Sequence, residues 1–299
     1  MQRKFLPGIA AILAALILAA CGAAATPAPA PAATEAPAAT AAPTEAMTEA
    51  ATPTEAATEA PASGSITVFA AASLTDSFKE IGEAFKAAHP GSDVTFNFGA
   101  SSSLAAQINQ GAPADVFAAA SGSTYKTVAD AGNAAAPTTF ATNKLTIITP
   151  ADNPAKITGL KDLTNPGVKL VLAVKGVPIR DYAEQIFTKA AADSSFGSDF
   201  SNAVHKNLVS EENDVKGVVS KIVLGEGDAA ICYVTDVTPE SAPKVSKIDI
   251  PDNLNVIATY PIGTIKATKQ AELAQAFVDY VLSPDGQAIL AKWGFGAKK

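Results

Sequence analysis

The sequence predicts an α/β fold with mainly parallel sheets and helices on both faces. Three observations carry this. Short apolar runs of strand length alternate with amphipathic stretches of helical period from about residue 65 onward. The helical stretches stop at Gly or Pro signals. Residues 65 to 299 are enough chain to bury a large core.

Ile66, Val68 and Phe69 give the first strand, near 65–70, and Leu74, Phe78, Ile81 and Phe85 follow at helical spacing in a helix over 74–88 that stops at His89-Pro90-Gly91. Val94, Phe96 and Phe98 alternate as a strand near 94–98, and Leu104 and Ile108 sit one turn apart in a helix over 102–110, before Gly111. The alternation continues with a strand near 114–118, a helix over 123–131 closed by Gly132, strands near 144–149 and 169–174, and a helix over 180–191. A helix over 214–224 closed by Gly225, strands near 229–234 and 255–260, and a helix over 270–282 complete it.

Two strand-to-helix turns share one layout. Ala70 to Leu74 (AAASL) and Gly99 to Leu104 (GASSSL) both place serines where a helix begins. The first N–H groups of a helix lack internal partners and the helix dipole favours negative charge there, so such a turn can hold an anion with no basic residue. The serines can equally be plain N-caps; two turns of the same order shift the balance toward a shared anion.

Arg3 and Lys4 precede an apolar stretch from Ile9 to Ala20, too short to span a bilayer and laid out as a secretory signal. It ends in Leu18-Ala19-Ala20-Cys21, which resembles a bacterial lipobox and implies a signal peptide over 1–20 and lipidation of Cys21. From there to residue 64 the chain is almost all Ala, Pro, Thr and Glu, a tether with too little bulky apolar surface to offset the entropy of ordering. The expected location is the outer face of the cytoplasmic membrane, held by acyl chains.

The formal net charge is −7. Arg3 and Lys4 leave with the signal and Glu35, Glu45, Glu49, Glu55 and Glu59 lie in the tether, so the folded part is mildly acidic. Nucleic acid is not expected as a partner, because its binding leans on clusters of Lys and Arg that this sequence does not show. With Cys21 assigned to lipid, Cys232 is alone in the domain and reads as a buried strand cysteine.

Several separated strings in one order then carry a resemblance: ITVFAAASL at 66–74, ASSSLAAQI at 100–108, GAPADVF at 111–117, Val177-Pro178, NDVKG at 213–217, CYVTD at 232–236 and LSPDGQAIL at 282–290, with Trp293-Gly294-Phe295 after them. From about Ser65 to Phe295 the chain resembles the molybdate-binding proteins of molybdate and tungstate ABC transporters, within the type II periplasmic binding protein fold. The resemblance implies two lobes, one over 65–145 with 258–299 and one over 146–257, with the ligand cleft between them. It implies a monomer that captures molybdate or tungstate, delivers it to an ABC permease, and uses no cofactor and no metal beyond that of the anion.

The site carries over residue by residue. Ser73 and Ser101 match two serines that donate through hydroxyl and backbone N–H. Val215 matches a backbone donor at the start of a helix, and Tyr233 a tyrosine whose hydroxyl completes the shell. The fifth position, a backbone donor after Val-Pro, falls on Ile179. There the chain departs from the family, which often has a small residue followed by Gly where this chain has Ile179-Arg180. Arg180 reads either as a rim contact on the anion or as a solvated helix residue near Asp181 and Glu184, the second being preferred. Read without the resemblance, Tyr233 is more simply a core ring.

Molybdate, tungstate and sulfate offer only acceptors, which suits a set of donors. Hydrogen phosphate carries a proton that needs an acceptor and is expected to be rejected. The competing classes are a binding protein for sulfate and an exported serine hydrolase. The latter is disfavoured, since no GxSxG elbow is present and His89 and His205 have no motif partners.

Overall fold

The computed structural model describes residues 63–297. The signal segment, Cys21 and the tether lie outside the described residues. Two sheets form the frame, and helices cover both.

The first sheet begins with β1 (Gly64–Ala71), whose inward residues Ile66, Val68 and Ala70 are fully buried. A 3-10 turn over Ala72–Leu74 leads into α1 (Thr75–Ala88), which presents Phe78, Ile81 and Phe85 to the core at helical spacing. Then come β2 (Ser92–Gly99), α2 (Ser101–Asn109), β3 (Val116–Ala118), α3 (Gly122–Asp130) and β4 (Thr138–Asn143). The second sheet is built from β5 (Leu145–Pro150), β6 (Leu170–Ala173), α4 (Pro178–Ala192), α5 (Phe200–Lys206), β7 (Leu208–Glu212), α6 (Val215–Val223), β8 (Ala229–Tyr233) and β9 (Val245–Asp249). The chain returns to the first sheet through β10 (Ala258–Thr264), α7 (Ala271–Leu282), α8 (Pro284–Lys292) and the two-residue β11 (Gly296–Ala297).

The six-stranded sheet has the order β11-β4-β10-β3-β1-β2 and the five-stranded sheet the order β7-β6-β8-β5-β9. The two sheets with helices on both faces are those the sequence predicts. Their strands are mixed, however, rather than mainly parallel. β1 pairs parallel with β2 and β3, and β6 with β7 and β8, whereas β4, β5, β9, β10 and β11 all pair antiparallel. The cause is the route of the chain. Strands joined by a helical crossover stay parallel, but β4 passes into β5 with only Lys144 between, and β9 returns to β10 through 250–257. Asn255 ties these two passes together. Its amide nitrogen donates to Leu145 O at 2.9 Å, and the Leu145 N–H donates to Asn255 Oδ1 at 3.2 Å.

β4, β7, β9, β11, α5 and α8 escape the sequence reading. β7 and β9 are edge strands of the second sheet, and their charged and polar residues (LVSEE and VSKID) hide the pattern. α8 carries a readable start, since Ser283 Oγ accepts from the Gly286 N–H at 3.2 Å and Pro284 sits at its first position.

A ring cluster fills the first half of the core. Phe78 packs against Phe140 and Phe277 with centroids 5.6 and 6.2 Å away, and Phe85 against Phe277 at 5.3 Å. Cys232, in the middle of the second sheet, is fully buried, and that burial pushes its thiol well above the ordinary range, as befits an inert core residue.

Candidate anion-binding cleft

β1, β2, β3, β6, β7 and β8 all end toward one place, the usual position of a ligand in open α/β sheets. The six-stranded half contributes the 3-10 turn after β1 and the start of α2. The five-stranded half contributes the starts of α4 and α6 and the end of β8. Together they enclose a small cavity of about 10 Å³ whose walls include Ser73, Ser101, Ile179, Val215 and Tyr233. All five sequence-derived site residues therefore meet in one cavity. A space of this size suits one small ion rather than a sugar or peptide.

The serines are not N-caps. Ala71, Ala100 and Val177 occupy the cap positions of the 3-10 turn, α2 and α4, and none of the three supplies a side-chain cap. Their first N–H groups are thus free to serve another acceptor. Of the described helices that begin at the cavity, α6 alone is capped, by Asp214, whose Oδ1 accepts from the Gly217 N–H at 3.0 Å. Asp214 borders the cavity, and among the described residues no Lys, Arg or His does. The donors the cavity offers are neutral hydroxyls and backbone N–H groups.

The hydroxyls have been given directions. Ser101 Oγ accepts the Ala120 N–H at 3.0 Å, which occupies one lone pair and leaves its hydrogen to point elsewhere. Ser73 Oγ lies 3.0 Å from Tyr260 Oη. Tyr260 in turn receives Asn143 Nδ2 at 3.4 Å, and the same nitrogen donates to Thr235 Oγ1 at 2.8 Å. Tyr233 Oη, fully buried, has no partner among the described residues. Burial pushes its phenol well above the usual range, with neighbouring Tyr260 adding to the shift, so it stays protonated and able to donate. A buried phenol without a partner is costly unless something else accepts from it.

Arg180 is neither solvated nor at the rim. It is 1% exposed, outside the cavity lining, and fixed by Nε to Glu184 Oε1 at 2.6 Å and by Nη1 to Glu211 Oε1 at 2.7 Å and Ala173 O at 2.8 Å. His205 Nε2 adds a 2.8 Å contact to the same Glu184 oxygen. Burial works against the Glu184 charge, but hydrogen bonds from Arg180 and His205 outweigh it and hold the carboxyl below its ordinary value. The sequence shows Glu184 one helical turn from Arg180. It gives no sign of β7, which brings Glu211. The guanidinium pins the first turn of α4 to β6 and β7 and so places the neighbouring Ile179 amide.

Across the cleft, Lys216 Nζ reaches Asp76 Oδ2 at 2.7 Å, joining α6 of one half to α1 of the other. Sequence reasoning missed this pair, and it missed Ala120, Asn143 and Tyr260. Lys216 lies within the NDVKG string but Asp76, Ala120, Asn143 and Tyr260 lie in none of the quoted strings, and only the tertiary structure brings Ala120 and Tyr260 to the two serines.

The comparisons agree with this geometry. A family profile described as bacterial extracellular solute-binding protein matches residues 66–296. The molybdate-binding protein ModA of Mycobacterium tuberculosis is 41% identical over 232 residues, covering 77% of this chain and 84% of its own. The protein of the same name in Escherichia coli is 30% identical over 243 residues, covering 79% and 90%. Among solved structures, the periplasmic molybdate-binding protein of Azotobacter vinelandii superposes with a TM-score of 0.66 at 20% identity, over 78% of this chain and all of the other, and so shares the fold. All three are by name molybdate-binding proteins. With its two-sheet frame, its cleft of uncharged donors and a profile match running from β1 to β11, the chain belongs to the bacterial extracellular solute-binding protein family.

Proposed function

We propose that this chain captures molybdate, and tungstate with it, between two lobes and hands it to an ABC permease. The observation that carries the reading is the fully buried Tyr233 hydroxyl, without a partner among the described residues, in a cavity with Ser73, Ser101 and two helix N-termini and with no Lys, Arg or His among its described wall residues. Such a site suits a fully ionised tetrahedral anion, which offers acceptors on every side. The backbone N–H groups of Ile179 and Val215 are the second half's donors, and the hydroxyls and N–H groups of Ser73 and Ser101 the first half's.

The lobes run over 65–145 with 258–299, and over 146–257. An anion bridging them favours the closed arrangement, because an open cleft offers it only half the donors. The Asp76–Lys216 pair joins the same two surfaces. The molecule works as a monomer outside the cytoplasmic membrane, tethered by lipid on Cys21. Among the described residues no helix is long and apolar enough to cross a membrane. Replacing Cys21 with Ala is expected to release the protein from the membrane fraction.

Thermal unfolding with molybdate, tungstate, sulfate and phosphate tests the ligand. Molybdate at a hundred times its dissociation constant should add about 2.7 kcal/mol of stability. Stabilisation by phosphate alone, or by none of the four in a folded sample, would end the reading.

A further inference from the structure

Resting on the oxyanion reading above, we propose that Tyr260 and Asn143 are positioning residues that fix Ser73 as a hydrogen-bond donor and thereby make the cleft select against anions that carry a proton. A set of hydroxyls does not do this by composition. Serine and tyrosine oxygens accept as readily as they donate, so a proton on hydrogen phosphate could be received by any of them. Direction has to come from what stands behind the hydroxyl.

Behind Ser73 stands a chain with a fixed beginning. The Lys144 backbone N–H, which can only donate, bonds Asn143 Oδ1 at 2.9 Å. That contact sets the orientation of the carboxamide and turns both Nδ2 hydrogens inward, one to Thr235 Oγ1 at 2.8 Å and one to Tyr260 Oη at 3.4 Å. Tyr260 Oη thus already faces a donor. Its own hydrogen goes to Ser73 Oγ, 3.0 Å away, and a phenol is the better donor of the two. The hydrogen of Ser73 is left for the cavity.

Reversing the chain leaves it broken. If Ser73 accepted from the ligand and gave its hydrogen to Tyr260, the Tyr260 oxygen would have to accept from both Ser73 and Asn143, and its own hydrogen would lose Ser73 Oγ as acceptor. Asn143, Tyr260, Ser73 and Thr235 are all buried, where a lost or mismatched hydrogen bond is costly. Burial also pushes the Tyr260 phenol well above its ordinary range, which keeps its hydrogen in place.

Calorimetric titration of the purified protein with molybdate, sulfate and phosphate, at mildly alkaline pH where phosphate is the hydrogen-phosphate dianion, tests the proposal. Tyr260→Phe keeps a ring packed against Phe140 and Phe295 and removes only the hydroxyl. Molybdate should bind about tenfold more weakly. Phosphate should bind more tightly than to the wild type, so the molybdate-to-phosphate preference falls by more than tenfold. Asn143→Asp puts an acceptor where the chain needs a donor and should lower that preference further. If Asn143→Asp does not fold, Tyr260→Phe decides by itself. A merely structural role would weaken both anions alike, so an unchanged preference in a folded Tyr260→Phe protein overturns the proposal. A wild type that gives no heat with any of the three anions overturns the oxyanion reading and this proposal together.

Discussion

The two halves of the cleft supply hydrogen-bond donors in different ways. On the six-stranded side the donors are serine hydroxyls, and each already has a partner, Ala120 for Ser101 and Tyr260 for Ser73. On the five-stranded side they are backbone amides at Ile179 and Val215 and the hydroxyl of Tyr233. Tyr233 Oη and Asp236 Oδ1 are the buried side-chain polar atoms without a partner among the described residues, and both belong to that side. The serine oxygens of the first half are therefore already engaged before any ligand arrives, with their hydrogens left for the cavity, while the second half holds side-chain atoms with no partner among the described residues. Most of the selectivity can be built into the former and much of the coupling between ligand and closure into the latter.

The largest expected effect probes that unmatched polarity. Burial, reinforced by nearby Asp76 and Asp214 and opposed by Lys216 and the Tyr233 N–H, raises the Asp236 carboxyl from 3.8 to about 7. The unfolded chain gives up this proton first. Stability should therefore fall as pH rises from about 4 to about 7 and then level off, by up to about 4 kcal/mol. Asp236→Asn should flatten the slope, as read by chemical denaturation at several pH values. A parental slope in the variant would return Asp236 to the matched class.

Next comes Arg180→Met, which removes a buried cation from two carboxylates that are each about a third or more exposed. Allowing for solvent screening of those partners, we expect a loss of about 2–3 kcal/mol of stability. Anion affinity should fall too, because the start of α4 is no longer pinned. Full affinity in a destabilised variant would detach Arg180 from the cleft.

A paired test then sharpens the contrast. Ser101→Ala and Tyr233→Phe should each lower molybdate affinity by about tenfold to a hundredfold in calorimetry. Their effects without ligand should differ in sign. Ser101→Ala orphans the Ala120 N–H and should cost about 1–3 kcal/mol, whereas Tyr233→Phe removes an unpartnered group and should leave the melting temperature unchanged or higher. Equal losses would mean that the two sides are alike. The smallest effect is expected for Ile179→Val, under about 0.5 kcal/mol in affinity, since the donor there is main chain.

The same contrast governs what could be read from residue order. Ser73, Ser101 and Tyr233 lie in recognisable strings, and Ile179 and Val215 are recovered as positions rather than as side chains, because any non-proline residue carries the N–H. The long elements with clear periods, α1 and β1 above all, were legible. Edge strands such as β7 were not, since charges on an exposed strand mask its alternation, and losing β7 also hid Glu211 and turned Arg180 into a surface residue. Tyr260 and Asn143 left no local trace at all. They lie 117 residues apart, and only pairing of β4 with β10 makes them neighbours.

Lys144 is the whole link between β4 and β5. Any swing of one half on the other must be absorbed there and over 250–257, and the amide of this same residue orients the Asn143 carboxamide. In the proposed closure and anion choice, motion and discrimination would share an axle. Lengthening the link by a glycine would loosen the swing and blur the choice of anion together, whereas the same insertion at an outer turn such as Gly132 would disturb neither.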